Sequence, residues 1–241
     1  MRTSARRPLL VPILATAAFA LVCARLGIWQ LDRLAQRRAF NAHLEERLAA
    51  PPRPIEALPG DTAQGHYHRV SAHGRFAYSA QVALAARSQL GSPGVHLLTP
   101  LQLESGAVVM VNRGWVYAPD AMTIDERRWR EHDGDTVTVV GYADTWSERA
   151  SGNAPDRPHV VRVLDSAIVA RAVGTPVLPF YIAQTSDSVR APDRPVRLGE
   201  PVLDDGSHRS YAIQWFSFAL IAVFGGALLV REELARRRAS A

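Results

Sequence analysis

Apolar and polar positions alternate along this chain with three different periods. From Tyr211 to Val230 there are 20 residues and no charge. At roughly 1.5 Å of rise per residue, a helix of that length crosses a hydrocarbon core of about 30 Å. Tyr211 and Trp215 stand at one end, where amphipathic aromatics prefer the headgroup level. Arg231, Arg236, Arg237 and Arg238 close the other end. A second apolar run opens at Leu9 and reaches Ala24. Carried to Trp29, with the long stem of Arg25 letting its charge reach the surface, it makes 21 residues. The two runs predict transmembrane helices over 9–29 and 211–230.

Past Trp29 the helical pattern continues. Leu31, Leu34, Phe40, Leu44 and Leu48 recur near one helical face, and no Gly or Pro intervenes before Pro51-Pro52. This predicts a helical extension over 30–50 and a proline-rich linker over 51–65. From Tyr67 the pattern shortens into runs separated by Gly, Ser or Pro: Arg69–Phe76, Gln81–Ala86, Val95–Pro100, Ala107–Asn112, Thr136–Tyr142, Val160–Leu164 and Leu178–Gln184. They read as strands of an antiparallel sheet or small barrel. Asp165 to Gly174 reads as a short helix, with an Asp cap and a Gly stop. Residues 191–205 read as a polar return to the membrane. The predicted class is membrane α+β: two transmembrane helices flanking an antiparallel β-rich extracytoplasmic domain, 66–205, with one short helix. A juxtamembrane segment, 206–210, leads into the second span, and tails at 1–8 and 231–241 lie in the cytoplasm.

The net charge of +5 changes meaning once it is divided. Residues 32–209 hold 20 Arg against 21 Asp or Glu. The excess lies at the membrane flanks, where basic residues meet anionic lipid rather than nucleic acid. The C-terminal arginine run favours both termini inside and the domain outside, since long domains translocate largely regardless of charge. Cys23 is the only cysteine, so no disulfide framework exists. Val22 is too bulky for a lipidation site at Cys23. Ala18-Phe19-Ala20 resembles a signal-peptidase site, but helix continues beyond it, so the span reads as a retained anchor.

Three clusters carry candidate chemistry. His208 lies one helical turn outside Tyr211, at the membrane edge; it reads either as a solvated interfacial histidine or as an axial ligand for a cofactor partitioning between water and lipid. Asn112-Arg113-Gly114-Trp115 ends a buried-type strand. Arg113 could fork onto a carboxylate or propionate, or the cluster could be structural, with a bulge at Gly114. His66 and His68 on one strand face, with His73 nearby, could touch a metal, but no carboxylate or Cys completes a ligand set. No nucleophile–base pair, phosphate-cradling glycine loop or His-Glu-x-x-His is present, so the chain does not read as an enzyme.

Leu26-Gly27-Ile28-Trp29-Gln30-Leu31-x-Arg33, Val111-Asn112-Arg113-Gly114-Trp115-Val116 and His208-x-x-Tyr211-x-x-x-Trp215-Phe216 together resemble the Surfeit locus protein one family (Shy in yeast), membrane assembly factors for haem-copper cytochrome c oxidase. His96-Leu-Leu-Thr-Pro100 and the Asp165 helix are also similar to the family's. The resemblance implies a protein of the bacterial inner membrane that helps haem a enter oxidase subunit I, with subunit I and haem a synthase as partners beside the lipid bilayer. It implies haem a as a transient cofactor and His208 as its axial ligand. Trp215 and Phe216 would flank the macrocycle, Tyr211 would stand beside them, and Arg209 would meet the propionates. Gly27, Trp29, Gln30, Arg33, Asn112, Arg113, Gly114 and Trp115 carry over as motif positions only. Family members often have Asn shortly before the histidine; Gly206 and Ser207 stand there, so polar support for the ring has to come from elsewhere. A scaffold that steadies subunit I without touching haem is the alternative, and an envelope sensor a weaker third reading. Gly225-Gly226 permits close helix approach and with it a homo-oligomer.

Overall fold

The computed structural model describes residues 10–131, 134–146, 159–185 and 194–239. The first tail, 1–8, lies outside these residues, as do the last two residues of the second. Two compact units emerge: one formed by α1 up to His43 with the chain from Leu203 onward, the other by Leu44–Val202.

The first unit is a helix pair. Helix α1 runs Leu10–Ala49 without interruption, since nothing between Pro12 and Pro51 breaks it. The chain returns through the last helix, His208–Ala239. Both helices are long and apolar enough to cross a membrane, and their apolar stretches are almost wholly unburied within the protein. Leu14, Phe19, Leu21 and Val22 on α1, with Leu220, Ile221, Phe224 and Leu228 on the second helix, point outward as a continuous apolar band. Soluble proteins do not leave patches of that extent exposed. Residues at one end of each helix meet the opposite end of the other: Gly27 lies against Phe216, and Thr16 against Gly226. The helices are therefore antiparallel. Gly226 spends its close approach within the chain, while Gly225 faces open space.

The second unit is strand-rich. Its elements are β1 (Arg53–Pro54), α2 (Thr62–Gly65), β2 (Arg69–Phe76), β3 (Val82–Gln89), β4 (Ser92–Leu103), β5 (Val108–Tyr117), β6 (Thr136–Thr145), β7 (Val160–Val161), α3 (Ser166–Val173) and β8 (Phe180–Gln184); the C-terminal apolar helix, His208–Ala239, is then α4. The strand order is β1-β2-β6-β8-β5-β4-β3-β7, and β2 pairs again with β4, so five strands close into a ring. Val70, Ala72, Leu101, Val109, Val111, Val139, Phe180 and Ile182 fill its interior, drawn from alternate positions of their strands.

The sheet is mixed rather than antiparallel. Pairs β1–β2, β3–β7 and β5–β8 are parallel. Strand β8 arrives by a long crossover through α3 and enters between β5 and β6, antiparallel to one and parallel to the other. Helix α3 follows its caps: Asp165 accepts from the N–H groups of Ala167 and Ile168, and Gly174 stops it in the left-handed region. The stretch 51–65 is not a bare linker. It holds β1, a single 3-10 turn at Ile55–Ala57 whose Ile55 enters the core, and α2.

Candidate functional site

The helix pair concentrates the sequence motifs at one end. Gly27 has no side chain because the ring of Phe216 occupies that space; a Cβ there would lie 2.8 Å from two ring atoms. Three residues further along, the side chain of Gln30 is buried in a surface that is otherwise apolar. Its Oε1 lies 2.8 Å from Nδ1 of His208, the first residue of α4. An amide oxygen can only accept, so Nδ1 is the donor, and in the neutral ring Nε2 then keeps its lone pair. Oriented histidine ligands are built in this way, with one nitrogen held and the other offered. Gln30 supplies the polar support that the residues just before His208 lack.

The lead-in to α4 is fastened to α1 by its backbone. Asn41 Nδ2 and Arg37 Nε donate to the Asp204 carbonyl at 3.0 and 3.2 Å, and Arg38 Nε pairs with Asp205 at 2.8 Å. The Gly206 N–H donates to the Asp204 carboxylate, and the Ser207 carbonyl accepts the first helical bond from Tyr211. These contacts leave a recess of about 500 Å³ lined by Arg33, Gln36, Arg37, Phe40, Asp204–Gly206 and His208. That volume falls in the range of small-molecule sites. Beside it Trp29 and Tyr211 are exposed, at the level of an aromatic belt.

The remaining predicted contacts separate. Arg209 is exposed and does not line the recess. Phe216 packs on Gly27, so its ring joins the two helices, and Trp215 packs edge-on against Phe218, 5.9 Å between centroids. Arg33 does line the recess. Gln30 stood in the sequence as a motif position without a role; its only signal was an amide at the end of an apolar span.

In the strand-rich unit, Arg113 is the extra residue of a β-bulge: Leu97 faces Gly114 and Leu98 faces Asn112. Gly114 has φ +122°, and any Cβ there would strike the backbone of Val196. Asn112 holds the bulge, its Oδ1 accepting from the Gly114 N–H. The Arg113 side chain is 1% exposed and donates to Gln81, to the Trp129 carbonyl and to Glu131, the last two at 2.6 Å. The rings of Phe76 and Tyr78 lie 5.3 and 5.1 Å from its guanidinium carbon. Arg197 grips the same carboxylate at 2.6 Å and the Arg113 carbonyl at 2.9 Å. Burial pushes the Glu131 carboxyl up, but hydrogen bonds from Arg197 and both guanidinium charges outweigh it and hold the group below its ordinary range. Arg113 thus pairs inside the chain, and its fork is not free for a ligand. Val196 pairs through its backbone with Trp115, which ties 194–202 of the 191–205 return into this unit, while 203–205 belong to the helix pair.

The histidines do not assemble a metal site. His66 follows α2 rather than sharing a strand with His68, and its Nε2 contacts Asp144 at 2.9 Å. Asp144 also accepts from Tyr181 at 2.6 Å and from the Thr145 N–H. Burial and the Asp144 charge push the Tyr181 hydroxyl well above its ordinary range, the opposite of an activated nucleophile. Among the described residues, no group of three or more His, Cys, Asp or Glu is placed to hold a metal ion. His96 accepts from Asn112 Nδ2 at 3.2 Å, and burial with the Arg87 charge lowers its pKa to about 4.

The family model described as "SURF1 family" matches residues 17–220. An uncharacterized SURF1-like protein of Mycobacterium tuberculosis is 28% identical over 243 residues, covering 95% of this chain and 86% of that one. A SURF1-like protein of Monosiga brevicollis is 25% identical over 82% of this chain and 79% of its own length. Surfeit locus protein 1 of Mus musculus is 25% identical over 79% of this chain and 66% of its own.

Proposed function

The chain belongs to the SURF1 family, and from that premise we propose that it is a membrane-anchored assembly factor for cytochrome c oxidase that hands haem a toward subunit I. One observation carries the reading: His208 is held at Nδ1 by Gln30 and offers Nε2 at the edge of an apolar helix pair, beside a recess of about 500 Å³. The donor set suits the cargo. A neutral imidazole is a good axial ligand for haem iron, and a single protein ligand suits transfer better than a closed cage. When bound, haem supplies the iron–nitrogen bond; the chain would supply orientation and, at Phe40, one aromatic face of the recess. Both helix ends beyond the apolar band, with arginines at 236–238, fit termini in the cytoplasm of a bacterial inner membrane, with the strand-rich unit on the outer side. Subunit I and haem a synthase are the partners this role needs.

The test is co-expression with haem a synthesis, purification in detergent and an absorption spectrum, with His208→Ala in parallel. Stoichiometric haem a in the wild type, lost in the variant, supports delivery. A colourless wild-type protein that still restores oxidase in a deletion strain overturns it. The second reading, a scaffold for partly built subunit I, then stands; it rests on the outward apolar faces of α1 and α4, which a partner's helices can cover.

A further inference from the structure

We propose that Arg33 and Arg37 form the anion-receiving end of the recess beside His208 and take the carboxylates of a porphyrin whose iron meets that histidine. The inference rests on the haem reading above and adds to it the residues that set the orientation of the ligand. Arg33 and Arg37 are four residues apart on α1, so both lie on the face that lines the recess. Like charges at that spacing repel one another. Elsewhere the chain answers arginines on a helix with carboxylates: Arg236 pairs with Glu232 and Arg237 with Glu233. Arg33 and Arg37 have no such answer among the described residues. Arg33 donates to the neutral Gln36 side chain at 3.0 Å, and Arg37 to the Asp204 carbonyl at 3.2 Å, with its guanidinium over Phe40.

The two acidic residues of the lining do not fill the gap. Asp205 is paired with Arg38, and Asp204, whose carboxylate accepts from the Gly206 N–H, leaves one negative charge against two guanidinium groups. What remains around one recess is an imidazole, two guanidinium groups and one carboxylate outside any ion pair, a net positive charge. A porphyrin presents the matching set, a central metal and carboxylates at one edge. Arg is the side chain whose planar fork fits carboxylates. Arg209, outside the recess, has no part in this contact. A lipid headgroup could bring the same charge as a phosphate, so the experiment has to separate the two sources.

Full-length protein in detergent is titrated with iron protoporphyrin and with its dimethyl ester, which lacks the carboxylates. Arg33→Gln/Arg37→Gln is expected to bind iron protoporphyrin about ten- to a hundred-fold more weakly than the wild type. The same variant should bind the ester as the wild type does, with an unchanged Soret band because His208 still ligates. Arg33→Lys/Arg37→Lys, which keeps the charge, should recover part of the loss. Undiminished binding of iron protoporphyrin by the Gln double variant, with loss in His208→Ala, overturns the arginine assignment and leaves the haem reading standing. Absence of any Soret change in the wild type overturns both. Equal weakening toward the ester means the arginines serve the fold, and also overturns the assignment. So does phosphatidylglycerol that co-purifies with the wild type but not with the Gln double variant, if iron protoporphyrin binding is the same in both.

Discussion

Two polar side chains, one in each unit, are treated in opposite ways: Arg113, which is buried, and His208, which is half-buried. Arg113 is enclosed, and its donors meet a carboxylate, a backbone carbonyl and a side-chain amide, with aromatic rings beside the guanidinium. His208 has Nδ1 held by Gln30, and the residue lines a recess. A buried charge whose every direction is filled can organise a fold but can receive nothing. A ring that is oriented yet half satisfied is poised for a ligand. The densest cluster of motif residues in the strand-rich unit is therefore architecture, and the sparser one in the helix pair is the site we propose.

Breaking Arg113's enclosure should have the largest effect on stability. Glu131→Gln leaves Arg113 and Arg197 buried around a neutral group, and removal of one partner from a buried ion pair costs about 3–5 kcal/mol. The urea midpoint of the full chain in detergent, followed by tryptophan fluorescence, should fall accordingly. A midpoint within error of the wild type refutes the enclosure. Gly114→Ala should follow, at roughly 1–3 kcal/mol, since it forces a strained φ and meets the Val196 backbone.

Acid offers a milder probe of the strand-rich unit. His96 is neutral in the fold, with its pKa lowered from 6.5 to about 4, while the unfolded chain protonates near the ordinary value. Its contribution is therefore complete above that ordinary value and is lost as pH falls toward about 4. The full shift corresponds to about 3 kcal/mol, and partial exposure brings the expected loss to about 1–3 kcal/mol. Equilibrium unfolding between pH 7 and pH 4 should show this slope, and His96→Gln should flatten it. Glu131 and Asp144, both held below their ordinary range, add acid sensitivity only at lower pH, when their carboxylates finally protonate.

The smallest stability effect should come from the site itself. Gln30→Leu removes one hydrogen bond and should shift stability by about 1 kcal/mol or less. The same change should weaken haem binding by about ten- to a hundred-fold, because the imidazole loses the partner that orients it. Equal haem affinity in Gln30→Leu and wild type would sink the orienting role. A large stability loss would instead make His208–Gln30 a second structural pair, erasing the contrast with Arg113.

Much of the architecture follows from local period alone. Twenty uncharged residues from Tyr211 to Val230 dictate a helix long enough to span, and alternation from Arg69 to Phe76 dictates a strand with one face inward, as observed. Asp165 and Gly174 determine where α3 starts and stops, because caps act within one turn. Tertiary structure decided the rest. Parallel pairing of β5 with β8 joins residues about seventy positions apart, and no local period encodes a partner at that distance. Ile55 and α2 turned a proline-rich stretch into part of the second unit. Gln30 and His208 are separated by 178 positions, so neither announces the other in the sequence. Side-chain period reports which face of an element is buried; only packing decides which polar group ends beside which, and there an isolated glutamine became the partner of a histidine.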